Sequence, residues 1–136
     1  SYGRLYNWYA VDNSSSRYIC PEGWHVPTTN EYDALSTYLG GTSVAGGKMK
    51  ETGTDHWNST NTGATNSSGF TARGSGLRQY NNGVYTQVKN YNYIWTSNQR
   101  TSTTARFRYI SYNNSTFSSS SDSYKRYGFS VRCLED

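Results

Sequence analysis

The pattern of apolar and polar positions divides the chain into a few regular stretches separated by long irregular ones. "YGRLYNWYAV" (Tyr2–Val11) alternates aromatic or aliphatic residues with polar ones, and this period of two predicts a strand. A polar loop, "DNSSSR", follows. "YICPEGWHVPT" then reads as extended chain, because Pro21 and Pro27 fix the backbone outside helix. In "TTNEYDALSTYLGG" the period changes: Tyr32, Leu35 and Leu39 fall at i, i+3 and i+7 on one helical face. Thr28 with Glu31 three residues on makes a capping box, and Gly40–Gly41 stop the helix. "VAGGKMKE" predicts a shorter helix weakened by its two glycines.

From about Thr52 the periodicity disappears into Gly, Asn, Ser and Thr, residues that favour turns through local side-chain to backbone bonds. Trp57, Ala64, Phe70 and Leu77 stand out as apolar pegs holding a long loop to the body. Strands resume with "GVYTQV", "YNYIWTS", "ARFRYISY" and "YGFSVRC". Phe129, Val131 and Cys133 share one face of the last, which is expected to pair with the first strand and bring the termini together. In "ARFRYISY", alternation puts Arg106, Arg108, Ile110 and Tyr112 on one face and Phe107, Tyr109 and Ser111 on the other, an odd setting for the arginines if Ile110 is core. The order of strand, helices, irregular region and antiparallel strands predicts an α+β fold.

Composition changes the picture in one respect. A mean hydropathy of −0.89 with 33% hydrophobic residues leans toward disorder, but aromatics reach 16%, including 14 Tyr and 4 Trp. Each buried ring removes roughly 150–250 Å² from water, so a small aromatic core can hold a fold with long loops. The 136 residues are read as a single domain, 1–136. Because the chain starts at Ser1, it is expected to be a fragment or a processed product with any leader or anchor removed, and the domain is expected to be the C-terminal one of a larger protein. No stretch has the length and apolarity of a membrane span.

Charge is uneven. Residues 1–72 carry 4 Lys/Arg and 6 Asp/Glu, a net of −2; residues 73–136 carry 9 and 3, a net of +6. A basic half suits acidic partners, or is solvated surface. No block of like charges forms a nucleic-acid arm, and no nucleic-acid partner is expected.

Candidate chemistry is sparse. Cys20 and Cys133 have no further Cys or spaced His pair for a zinc site, which leaves a disulfide or two buried thiols. His25 and His56 are the only histidines; His56 follows Asp55 without further ligands at recognised spacing. No nucleophile–base arrangement or phosphate-binding glycine loop is present, so no enzymatic activity and no cofactor are expected. Structural calcium on the Asn/Asp-rich loops stays open.

Several blocks carry a family resemblance. "YGRLYNWYAV", "ICPEGWHVPTTNEYDALSTYLGG", "AGGKMKETGTDHW", "GATNSSGFTARGSG" and "YGFSVRCLED" resemble the Fibrobacter succinogenes major paralogous domain, in order and over nearly the whole chain. "YIWTS" and "ARFRYISY" are similar to further family blocks, although Ile110 stands where Leu is usual and "TSNQ" departs from Ser-Ser-Thr-Glu. The Arg108 match implies a structural role, as do Trp8, Trp24 and Trp95. Such domains occur in secreted and surface proteins, which implies an extracellular or cell-surface location, or a phage virion such as a tail fibre. The closing "GFSVRC" is similar to the end of the C-type-lectin-like fold in formylglycine-generating-enzyme relatives and in variable proteins of diversity-generating retroelements. Cys20 and Cys133 do not match the copper-binding pair of the former, and the Glu-Pro-Asn or Gln-Pro-Asp of calcium-dependent lectins is absent.

The retroelement resemblance implies that residues 91–126 form a diversified surface, since rewritten Asn codons yield Tyr, Ser, Thr, Asp, Arg, Ile and Phe. Composition supports recognition independently. Tyr offers wide contact at low entropy cost and Ser and Asn adapt their hydrogen bonds, as in antibody loops. The candidate ligand-binding residues are Tyr91, Tyr93, Asn98, Arg100, Arg106, Tyr109, Ser111, Asn113, Asn114, Phe117 and Tyr124. The expected partner is a protein or glycan on another cell surface. Two other readings stand beside it: a structural module of a surface protein without its own ligand, and a calcium-independent glycan binder.

Overall fold

A computed structural model describes residues 1–14, 18–119 and 121–136. Part of the predicted 12–17 loop and position 120 of the Ser/Asn/Tyr run therefore lie outside the described residues. The fold is α+β. In chain order come β1 (Trp24–His25), α1 (Thr29–Tyr38), α2 (Thr42–Met49), β2 (Leu77–Arg78), β3 (Tyr85–Thr86), β4 (Tyr91–Gln99), β5 (Thr104–Ser111), β6 (Ser121–Tyr124) and β7 (Leu134–Glu135). β4, β5 and β6 form an antiparallel sheet, and β1–β7 and β2–β3 are small antiparallel pairs.

Helix α1 follows local chemistry. The Thr28 hydroxyl accepts from the Glu31 amide at 3.2 Å, and the Glu31 carboxylate accepts from the Thr28 amide at 2.7 Å, a cap of the kind that contributes about 1 kcal/mol. Gly40 and Gly41, at φ 106° and 102°, end it where a side chain would be strained. Helix α2 forms despite Gly46 and Gly47 because both are needed for close approach. A Cβ on Gly46 would lie 2.3 Å from the Thr116 carbonyl, and one on Gly47 2.4 Å from that of Gly63.

The β4–β6 sheet has apolar material on both faces. Ile94 and Ile110 face the helices and join Tyr32, Leu39, Ala45, Met49, Trp57 and Phe117 in one cluster. Trp95 and Ala105 face the other way, packing with Trp8, Val11, Cys20, Val26, Leu77 and Phe129. Arg108 lies on the helix side with Ile110, as alternation requires. It is only 1% exposed, and its guanidinium crosses to the Asp33 carboxylate of α1 at 3.0 Å. The odd arginine is thus a strand-to-helix tie.

Two expected strands are replaced. Tyr2–Val11 is not a ladder: Tyr6 makes one bridge to Phe129, and residues Trp8–Ala10 wind into a 3₁₀ turn. The Asn7 side chain accepts from the Ala10 amide at 3.2 Å, and the Trp8 indole N–H is drawn inward to the Thr96 carbonyl at 2.9 Å. "YGFSVRC" is extended but is pinned by separate bridges, Gly128 to Arg78, Phe129 to Tyr6 and Ser130 to Ile94, before β7 pairs with β1. Cys20 and Cys133 are joined by a disulfide with a Cα–Cα distance of 5.7 Å.

Beside it, the His25 ring bridges Asp136 (2.6 Å) and Glu31 (2.9 Å). The Asp136 hydrogen bond foremost, then that from Glu31, raises the imidazole pKa above 6.5. A raised folded-state pKa means that this stabilisation is complete below pH 6.5 and is lost as pH rises through the shifted value. The gap in melting temperature between wild type and His25→Gln should therefore narrow from pH 6 toward pH 9. Thermal melts across that range check it, and a constant or widening gap refutes the assignment.

Candidate ligand-binding surface

Strand alternation builds the surface. Tyr91, Tyr93 and Trp95 share a face of β4, opposite Ser111, Tyr109 and Phe107 of β5. Trp95 is buried, and Tyr91 and Tyr93 are half-buried. Tyr91 and Tyr93 stack with centroids 5.3 Å apart, and Tyr109 (36% exposed) leans on them at 6.1 and 6.2 Å. The rings continue through Phe107 and Phe129 to Tyr127, Tyr80 and Tyr124, each neighbour within 5.0–6.2 Å. Such tilted and offset contacts are favourable, so the aromatic belt is a mutually braced platform. Burial, followed by the neighbouring Tyr91, Tyr109 and Tyr127, pushes the Tyr93 hydroxyl up to about 12, so it stays a neutral donor at physiological pH.

The expected site residues divide. Tyr91, Tyr93 and Tyr109 come together, and Tyr124 is joined to them through Tyr80, which sequence reasoning missed along with Tyr127. Tyr80 lies in a Gly/Asn loop with no periodicity to mark it. Arg100 and Arg106 do not join the tyrosines; both reach Asp122, at 3.3 and 3.8 Å, and alternation places Arg106 on the face opposite Phe107 and Tyr109. Asn113 and Asn114 are exposed in the turn after β5.

Two residues, Phe117 and Ser111, require correction as contact residues because they are buried, and a third, Asn98, is half-buried and bonded to the fold. Phe117 is 1% exposed because its bridge to Ile110 brings its ring against Tyr32, 5.7 Å away beneath α1. Ser111 is 3% exposed, at the end of β5, with its hydroxyl turned to Asn113 and its carbonyl to Lys50. Asn98 is committed to α1, its side-chain oxygen accepting from the Thr29 amide at 2.8 Å.

The turn carrying Asn113 and Asn114 is held from below. Lys50, fully buried, donates to the carbonyls of Thr62, Ser111 and Asn114 at 2.8–3.0 Å and sits 5.6 Å from the Trp57 ring centroid. Burial lowers its pKa to about 8. His56 is taken up by Glu51, which also holds Arg73. Among the described residues no group of three or more His, Cys, Asp or Glu is placed to hold a metal ion. Among the described residues no helix is long and apolar enough to cross a membrane.

These features define an α+β domain with an aromatic outer surface on one end of its sheet. The family model of the Fibrobacter succinogenes major domain matches residues 1–135, and the chain belongs to that family. No curated protein and no solved structure matches it.

Proposed function

We propose that this chain is a non-enzymatic ligand-binding domain with a C-type-lectin-like fold, presenting a diversified surface from its C-terminal third as retroelement variable proteins do. It acts outside the cell, on a bacterial surface or a phage virion, against a protein or glycan of another cell. The observation that carries the reading is the braced aromatic cluster of Tyr91, Tyr93 and Tyr109, half-buried at the first two rings and exposed at Tyr109. Connected aromatic surface left open on a rigid strand pair marks interaction sites. Asn113 and Asn114, exposed in the turn after β5, supply adaptable polar contacts.

The test is to sequence the gene and its flanks across isolates. Substitutions should fall at template-adenine codons and at exposed or half-buried positions: Tyr91, Tyr93, Tyr109, Asn113, Asn114, Arg100 and Tyr124. Buried Arg108, Ile110 and Phe117 should stay fixed. Evenly scattered changes without a neighbouring template repeat would sink the diversified reading. Independently, Tyr91→Ala with Tyr109→Ala should lower binding to the target at least about tenfold with little change in melting temperature.

A further inference from the structure

We propose that the cleft between Tyr9, Tyr80, Thr103, Tyr124 and Arg126 binds a carboxylated sugar ring, such as a uronic-acid residue of an acidic polysaccharide. The inference rests on the reading of the chain as a ligand-binding domain and gives one part of it a ligand class. The cleft encloses about 250 Å³. Sites for drug-sized ligands run to roughly 300–1,000 Å³, so this one suits a single ring. Tyr80 is fixed by Tyr124 at 5.3 Å and Tyr127 at 5.0 Å, while Tyr9 and Tyr124 are 53% and 51% exposed.

Charge selects the ligand. Beneath Tyr9 lies Lys125, 3% exposed, with its ammonium 4.6 Å from the Trp8 ring centroid and 5.6 Å from that of Tyr9. Its acceptors, the Gln99 side-chain oxygen at 2.7 Å and the Ser102 carbonyl at 3.0 Å, are neutral. Arg126 lines the cleft and makes no ion pair among the described residues. Residues 73–136 hold just three acids. Asp122 is held by Arg100 and Arg106, Asp136 by His25, and Glu135 pairs across from Trp24 in β7.

Arg126 is thus the one cation lining a tyrosine-walled cleft, with no carboxylate paired to it among the described residues, while Lys125 adds its charge from behind Tyr9; low-dielectric walls concentrate that field. A pyranose ring offers C–H faces to the tyrosine rings and hydroxyls to their Oη atoms and Thr103. Its carboxylate can take the Arg126 guanidinium in a two-pronged hydrogen bond.

Titration calorimetry with trigalacturonate, its fully methyl-esterified form and hexaglutamate tests this. Trigalacturonate should bind, the ester about tenfold or more weakly, and hexaglutamate should not compete. Arg126→Gln should lower trigalacturonate affinity about tenfold and leave the ester unchanged, while Tyr124→Ser should weaken both. Equal binding of acid and ester, equally tight hexaglutamate, or no binding at all overturns the proposal. The Tyr91→Ala, Tyr109→Ala protein should keep uronate binding. If it loses target adhesion while trigalacturonate never binds, the cleft assignment fails and the platform reading survives.

Discussion

Replacing Cys20 and Cys133 together by serine should cost about 2–5 kcal/mol of stability and lower the melting temperature by roughly 10 °C or more. The disulfide spans a sequence separation of 113 residues, and closing a loop of about 100 residues removes up to about 4.7 kcal/mol of unfolded-state entropy in the chain-entropy account. The native contacts around it cannot substitute for that constraint. β1 and β7 share only two register pairs, Trp24 with Glu135 and His25 with Leu134. Losing the link also loosens Asp136 from His25, and with it the brace on Glu31 at the head of α1. Hydrogen exchange should therefore accelerate first in residues 20–31 and 129–136. Melting with and without a reductant gives the same comparison on the unaltered chain, and a change under about 2 °C would refute the assignment.

What the sequence disclosed was whatever short-range chemistry decides. Helix α1 was legible to its cap because Thr28, Glu31 and Gly40–Gly41 act within a few residues of one another, and β4 and β5 because alternation survives intact. The misreadings arise where a distant partner overrides the local signal. The Tyr2–Val11 alternation lost to Asn7 and to a Trp8 indole bond spanning 88 residues. Gly46 and Gly47 read as weakness in a helix, yet the 63 and 115–116 backbones need their missing side chains. Arg108 was uninterpretable until Asp33, 75 residues away, appeared across the strand-to-helix gap. Phe117, a lone ring in a serine run, resembled a contact residue and is a core peg.

The same distinction explains the partial reading of the surface. Tyr91, Tyr93 and Tyr109 could be grouped by strand periodicity, whereas Tyr80 joins them, by way of Tyr127, through packing of a loop whose sequence carries no period. Arg100 and Arg106 matched the composition of a recognition surface, but Asp122 sits in register with Arg106 and captures both. Composition suggested a recognition surface; topology decides which of the named residues come together.

Lys50→Met should destabilise the fold by a few kcal/mol and release the turn that presents Asn113 and Asn114. Two opposing effects decide the size. Burial brings the Lys50 pKa from 10.5 to about 8, a cost to the ammonium of about 3 kcal/mol that methionine would relieve. Against it, methionine keeps the apolar stem but removes every donor to the carbonyls of Thr62, Ser111 and Asn114. A buried acceptor left unsatisfied costs about 1–3 kcal/mol, so three of them outweigh the relief. The pH sign is separable: with the folded pKa below the unfolded one, Lys50 makes wild-type stability rise between pH 8 and 10.5. The variant should lack that rise. Urea unfolding at pH 7 and pH 9.5 checks both statements, and faster exchange at residues 111–117 should accompany the loss. If the Met variant proves as stable as wild type at pH 7, then Lys50 is not the anchor of this turn, and the backbone bonds of Tyr112 to Thr62 and Asn90, of Ser115 to Gly47 and of Phe117 to Thr42 hold it instead.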